Sequence, residues 1–516
     1  MNLYGFDTKP EAPLEVSQRR EVSDAIPMSH RAFEGGKDSR LLKDFPGMYG
    51  SINAEIYESH RALVGRSRQM AADNPFIKRF LALCKVNIVG DHGIRVQSRL
   101  RAPDNTFDKE KNKLVEKHWR RWSGMKNCTV SCNLTFLDVQ RLVVESVKRD
   151  GEVLVHLVRG FDNEYGFALE VLDADYLDLQ YDRPPDMDGN YIRSSVEFNQ
   201  WNAPVAYHLL TQHPGENVYM STDRRYRRRI PANDMLHIFD TIRAGQVRGI
   251  PATHAALIAS KHLHEYIRST LVAARVIASK FAVITTPASD GYKGTTSVDG
   301  NVKDQAEAGM IWRLNQGQSM EVFDPKQPSG EFDPFTRVLI QELAVALNVS
   351  YASLSEDLSR ANFGSQRTSL TGERDIWKLD HRFFSSHLIC PVFQAMIPMG
   401  MMFNAEMQSS LNFIDLDGLR DVVYQGRGWT WIDPAKDAQA NMRQVQLGSL
   451  TYEQLFALEG KDLQEQFDQI EFEKKIIEEK ELKIGPDVIL EKDDLANQAN
   501  EEEDTTNAKN GLRITG

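Results

Sequence analysis

Three small sets of side chains in this 516-residue chain have types and spacings that chemistry could use. The run RRYRRR gathers Arg224, Arg225, Arg227, Arg228 and Arg229 around one tyrosine, and clustered guanidiniums suit contact with phosphate oxygens. A solvated loop accounts for the same composition. His254, His262 and His264 share one helical stretch, but positions 262 and 264 point to different faces, which disfavours a common metal ion. Cys128 and Cys132 form a CxxxC with no second pair, which reads as two free thiols rather than zinc ligands. Phosphate-loop, dinucleotide and hydrolase motifs (GxxxxGK[ST], GxGxxG, GxSxG) are missing, and no spacing singles out two carboxylates as acid and base. The expectation is therefore no catalytic residue, no metal and no cofactor, and a scaffold or conduit rather than an enzyme.

The element that would organise such a scaffold is the stretch from Arg248 to Phe281. Gly249 and Pro251 punctuate its start, Thr253 is a possible cap, and apolar residues recur at helical spacing from Ala256 to Ile277. At about 1.5 Å per residue the helix would run about 45 Å. Alanines at 255, 256, 259, 273, 274 and 278 permit close approach of neighbouring helices, from this chain or from other copies. FTRVLIQELAVAL, from Phe335 to Leu347, predicts a second helix, and Gln366 to His387 a third, with the polar loop SEDLSRANFGS between them.

Upstream, residues 1–45 are polar and lack periodicity, which suits a flexible arm. Helical patterning starts near Asn53, with Asn74 and Pro75 as a cap and first turn. VNIVGDHGIRVQS reads as a strand interrupted at Gly90 and Gly93. Amphipathic helices follow at 108–122 and from Leu137 to Arg149. Alternating segments such as EVLVHLVRG and DMLHIFD then predict an antiparallel sheet packed on these helices, an α+β body reaching about residue 247. Phe281 to Thr286 and MIWRLNQGQSMEVF are strand-like, with a possible short helix at Asp304 to Ala308. From Asp433 to Lys483 three helical runs end at Gly448, Gly460 and Gly485.

The net charge is −11, and Glu459 to Asp504 alone holds 17 acidic residues against 6 lysines, so the rest of the chain is near neutral. A globally basic nucleic-acid binder is excluded by that balance. Four cysteines suggest a reducing compartment. The N-terminus lacks a basic segment followed by an apolar one, so no signal peptide is expected. Phe383 to Phe403 is the one membrane candidate. Its Pro391, Pro398 and Gly400 point instead to a buried helix ending near the second proline, in a soluble chain that meets no membrane.

Several blocks, in order, resemble the lambda-type portal proteins of tailed bacteriophages. They are GRSRQMAADNPFIKRFLALCKVNIVGDHGIRVQS, KRDGEVLVHLV, LEVLDADYL, HIFDTIRAGQVRGIPATHAAL, LAVALNVSYASLSEDLSRANFGSQR and WIDPAKDAQANMRQVQLGSLTYEQ. The likeness spans roughly residues 50–483. The chain departs from the pattern at Phe363 and Gly364, where Tyr-Ser is expected, and in the 224–229 run. The resemblance implies an α+β multidomain fold assembled as a ring, usually of about twelve subunits. It implies a wing at 46–250, a first stem helix at 251–280, a clip at 281–330 and a second stem helix at 331–350. A tunnel loop would follow at 351–366, a wing helix and return at 367–432 and a helical crown at 433–483, while the acidic, Asn-rich composition of 484–516 itself predicts a disordered tail. Such a ring would sit at one capsid vertex of the virion, after assembly in the host cytoplasm. Its partners would be the major capsid protein and scaffold, the terminase, head-completion or adaptor proteins, and double-stranded DNA passing without sequence specificity. Arg360, Asn362, Gln366 and Arg367 would touch that DNA. Another ring-forming head–tail connector, or a DNA-processing enzyme, remains as an alternative.

Overall fold

The computed structural model describes residues 50–102, 107–215, 227–278, 282–285, 319–322, 332–359, 362–412, 415–420, 422–429, 434–458 and 463–479. Residues 1–51 form a unit of their own, of which only Gly50 and Ser51 are described, and the fold below belongs to the unit Ile52–Gly516.

Helices α1 (Ile52–Asp73) and α2 (Pro75–Cys84) meet at Asn74, whose side-chain oxygen accepts hydrogen bonds from the backbone of Phe76 and Ile77, with Pro75 in the first turn. The expected cap is made. The strand expected next is not: Lys85–Val89 continues α2 as one π-helical turn, and only Arg95–Ser98 (β1) is extended. Gly90 ends that turn at φ +75°, a conformation open to glycine. Helices α3 (Lys109–Trp122) and α4 (Phe136–Asp150) follow, the latter opened by a reciprocal capping box between Thr135 and Asp138.

Strands β2 (Glu152–Arg159), β3 (Phe167–Leu172), β4 (Tyr191–Arg193), β5 (Val196–Phe198), β6 (Pro204–Leu210), β7 (Arg227–Pro231) and β8 (Met235–Phe239) form two antiparallel sheets rather than the single sheet expected. One has the order β3-β2-β8 and the other β4-β5-β6-β7. The reason lies in β2, buried on both faces. Val153, Val155 and Leu157 join the main core with α2–α4, while Leu154 joins a second core under Val196, Tyr207, Leu209 and Ile230. Alternation marks a strand but not which of two layers each face serves. Trp119, Trp122, Phe136, Phe167 and Phe393 pack ring to ring at 5.1–5.6 Å in the main core.

The organising helix is shorter than its pattern. Arg248 to Ile250 is non-helical, His254–Ala256 is a 3₁₀ turn, and α5 runs Leu257–Ala278, 22 residues or about 33 Å. Thr253 does not cap it. Its buried hydroxyl instead meets Ser67 Oγ at 2.7 Å, tying the turn to α1. β9 (Ala282–Thr285) and β10 (Ser319–Val322) pair antiparallel, while the helix expected at 304–308 lies outside the described residues. Then come α6 (Phe332–Ala346), α7 (Tyr351–Ser355) and α8 (Phe363–Phe384). α8 passes through a π turn, Ser385–Ile389, into α9 (Cys390–Phe403), giving one continuous helix from Gly364 to Phe403. That helix is long and apolar enough to cross a bilayer, yet 56% of its most apolar window is buried inside the fold, as in a core helix. It also continues past Pro398, where an end was expected. Packing holds it there: a Cβ at Gly400 would come within 2.7 Å of Met407 Sδ. Short helices α10 (Ala405–Ser410) and α11 (Asp415–Gly418) lead to β11 (Val422–Gln425), which pairs with β1, and α12 (Pro434–Gln446), α13 (Tyr452–Leu458) and α14 (Leu463–Glu479) are the last described elements.

All four cysteines are free. Burial pushes the Cys84 thiol above its usual range and Cys128 up to about 12, whereas Cys132 is exposed. Iodoacetamide should therefore alkylate Cys132 in the native protein and leave Cys84 and Cys128 until denaturant is added. Peptide mass mapping reads this directly, and native-state labelling of Cys84 would contradict it.

Candidate functional site

α5 and α6 lie against each other as an antiparallel pair. Tyr266 of α5 stacks on Phe332 at 5.6 Å and meets Phe335 edge-on at 4.9 Å, while the C-terminal part of α6 reaches the 3₁₀ turn that precedes α5. Ala256, Ala259 and Leu263 face Leu343, Ala344 and Leu347 in the shared core. The small alanines allow this approach, as the sequence pattern requires. Among the described residues, the opposite face of α6 is left exposed. Val338 and Val345 fall on one helical stripe away from that core and are 58% and 76% exposed, while Phe335, against Tyr266, marks its edge. Ile258, Ile267, Leu271 and Val272 are likewise exposed along α5.

The root of this pair is a buried ion cluster that motif reading missed. Glu152, at the start of β2, is fully enclosed. Arg248 Nε donates to both of its oxygens at 2.8 and 3.0 Å, Gly249 N donates at 2.8 Å, and His237 Nε2 of β8 stands 2.9 Å away. His60 Nε2 of α1 lies 3.3 Å from Oε1. Burial alone would raise the Glu152 carboxyl, but Arg248 and the two histidines override it and hold it well below the usual carboxylate range. Arg248 also donates to the carbonyls of Leu177 and Ala174. One carboxylate thus joins α1, β2, β8 and the chain entering α5. The signal available in sequence was a glutamate inside an apolar strand, preceded by the Asp150-Gly151 turn.

The loop after α6 is fixed at its base. Asp357 accepts from Arg337 Nη2 and Tyr351 Oη, each at 3.0 Å, and from Ser359. With Ser359 as the main cause, its carboxyl falls to about 2. Glu373 of α8 accepts from Ser350 N, Ser353 Oγ and Trp377 Nε1. Among the residues named for DNA contact, Arg360 lies outside the described residues. Asn362 is exposed and caps α8, its oxygen accepting from Ser365 N at 2.7 Å, so its amide nitrogen is the group left to donate. Gln366 and Arg367 follow in the first turns, half-buried.

In the basic run, Arg224 and Arg225 lie outside the described residues, and the other three have acidic partners. Arg227 Nη2 is 2.9 Å from Asp178 and stacks over Tyr181, Arg228 is 3.7 Å from Glu170, and Arg229 Nε is 2.9 Å from Glu197. A phosphate there would compete with those carboxylates. Asp173, Asp175 and His213 come within 4.8 Å of one another, the one grouping among the described residues with metal-ligand reach. Arg68 already bridges Asp150, Asp173 and Asp175 at 2.6–2.9 Å and fills the place a cation would take. His254, His262 and His264 do not converge with other ligands.

Residues 38–380 match the family model described as "Phage portal protein, lambda family". A probable portal protein of Halomonas phage phiHAP-1 is 30% identical over 451 residues, 86% of each chain. The portal protein of Escherichia phage N15 is 23% identical over 306 residues, 54% of this chain and 57% of that one. A chain from the neck of an empty gene transfer agent particle aligns over 78% of this chain and 94% of its own at 13% identity, with a TM-score of 0.41, too low to carry an argument.

Proposed function

This chain belongs to the lambda family of phage portal proteins, structural and non-enzymatic components of the capsid, and from that premise we propose how its surfaces serve a portal. Copies assemble side by side into a closed ring of about twelve, through a head-to-tail contact in which one subunit's α6 stripe packs on the next subunit's α5. Heterologous contacts of this kind close into rings when the repeated rotation returns to the first copy without a translation along the axis. The observation that carries the reading is the exposed stripe of Val338 and Val345, because a soluble helix leaves such a face open chiefly where a partner covers it.

In this arrangement 46–250 and 367–432 form the wing and α5 and α6 the stem. Residues 281–330 form the clip that meets the terminase during packaging and the head-completion proteins afterwards, and 433–483 form the crown. The segment 351–366 lines the channel, where Asn362, Gln366 and Arg367, with Arg360, touch passing DNA briefly. Near-neutral charge before residue 459 suits that passage, since many Lys and Arg contacts to phosphate would retard sliding. Major capsid protein and scaffold surround the ring as it forms in the host cytoplasm.

Replacing Val338 and Val345 together with aspartate tests the interface. Each buried valine is worth about 1.5–3 kcal/mol, so the double variant should weaken association at least about a hundredfold. Sedimentation velocity should show monomers with an unchanged circular dichroism spectrum and melting temperature. Rings that persist in this variant would exclude the stripe from the interface.

A further inference from the structure

On the side of the body formed by β1 and β11 lies a cavity of about 600 Å³ lined by three arginines, Arg95, Arg141 and Arg427. Two of them are held in place by neutral acceptors. Arg427 Nη1 donates to Val86 O at 2.9 Å and Asn87 Oδ1 at 3.0 Å, and Arg141 Nη2 donates to Gly90 O at 3.0 Å and, more distantly, to Asp91 O at 3.4 Å. Gly90 makes room: a Cβ there would stand 3.2 Å from Arg427 Cβ. Among the described residues no carboxylate oxygen comes within the 4.0 Å of an ion pair to any of these three arginines. The one carboxylate in the lining, Asp91, is paired with His92 and 79% exposed. This contrasts with Arg227, Arg228 and Arg229, each of which has an acidic partner. Pre-oriented guanidiniums lacking carboxylates form a receptor for oxyanions, above all carboxylates and phosphates.

A second cavity of about 650 Å³ shares Arg427 and Gly426 with the first and is walled on its far side by Glu453, Gln454 and Leu463 of the C-terminal helices. Those helices already meet the body acid to base, through Glu453 with Arg99 and Asp468 with Lys113. The chain then continues into its most acidic stretch, which contains Glu491, Asp493, Asp494 and Glu501 to Asp504. Residues 480–490 can span up to about 40 Å when extended, more than the roughly 24 Å that α14 covers between Leu463 and Glu479.

We propose that the acidic C-terminal segment from Glu491 to Asp504 docks its carboxylates in the cavity of Arg95, Arg141 and Arg427. The segment neutralises this surface and keeps it from other polyanions. Neither step depends on ring assembly.

The test uses the full chain and a protease that cuts after lysine, following cleavage after Lys492 by mass spectrometry at about 20 mM and about 500 mM salt, where screening differs strongly. Rates are normalised to a free peptide of residues 485–516. Docking should make cleavage about tenfold slower at low salt than at high salt. That ratio should fall to near one in Arg95→Gln/Arg141→Gln. It should fall equally in Glu501→Gln/Glu502→Gln/Glu503→Gln, a tail variant that leaves the folded body untouched. An unchanged ratio in both variants would overturn the proposal. So would loss of affinity for a short DNA duplex in the arginine variant with the Lys492 ratio intact, which would assign the cavity to phosphates.

Discussion

Replacing Glu152 with glutamine should destabilise the folded chain by about 3–5 kcal/mol, the scale seen when one partner of a buried ion pair is removed. Arg248 is 2% exposed and would keep its charge with no carboxylate to balance it, while Gly249 N and His237 would lose an ionised acceptor. Chemical denaturation of variant and parent under the same conditions reads the difference. A change below about 1 kcal/mol, the scale of an ordinary hydrogen bond, would mean that Arg248 finds other partners. The pH dependence has a definite sign. A carboxyl whose folded pKa is depressed stabilises fully above its unfolded value and loses that contribution as pH falls through the folded value. Glu152 is depressed well below 4.5, so its share is complete above that pH and is lost only further into acid. The parent should therefore lose stability below about pH 4.5 more steeply than Glu152→Gln does.

The second large effect is expected at Gly151. It closes α4 at φ +94°, and a Cβ there would lie 2.4 Å from Ile250 C and 2.6 Å from Pro251 N. Across the same contact, a Cβ at Gly249 would lie 2.2 Å from Gly151 O. Two backbones touch here, and only glycines permit it. Gly151→Ala combines a cost of about 1 kcal/mol for the left-handed conformation with an overlap that pushes residues 250–251 off α4. It thereby threatens the Ala252 N to Lys148 O hydrogen bond and the Glu152 cluster. A loss of at least about 3 kcal/mol is expected, as for other large single-site effects traced to strain and broken buried pairs. Gly160 is the control, because it shares a positive φ of +75° but nothing lies within 4 Å of its Cβ position. Alanine there should cost only about 1 kcal/mol. Equal losses at the two sites would refute the close-approach argument.

These two sites also show what could be read from the residues and what could not. The Asp150-Gly151 turn, the Asn74-Pro75 cap and the helical stripe of α5 were legible, because each is set by local chemistry. The family was legible through ordered blocks. Gly249 and Pro251 mark the start of the organising stretch, but Thr253 does not cap it, because Ser67, distant in sequence, engages its hydroxyl, and the helix begins only at Leu257 after a 3₁₀ turn. The β-branched residues of VNIVG fit a strand, whereas packing against α4 and α8 carries α2 onward through a π turn. Pro398 signalled an end that the surrounding core overrides. The partners of Arg227 to Arg229 were invisible because Asp178, Glu170 and Glu197 are distant in sequence. The stripe on α6 is apolar already in the sequence, but only the fold shows that Val338 and Val345 stay exposed among the described residues.

Native mass spectrometry of the purified chain, with negative-stain images of the same sample, tests the central claim most directly. The expected result is a closed ring of about twelve copies with a central hole. Monomers or dimers at every concentration and salt, also in the presence of scaffold and capsid protein, would contradict it.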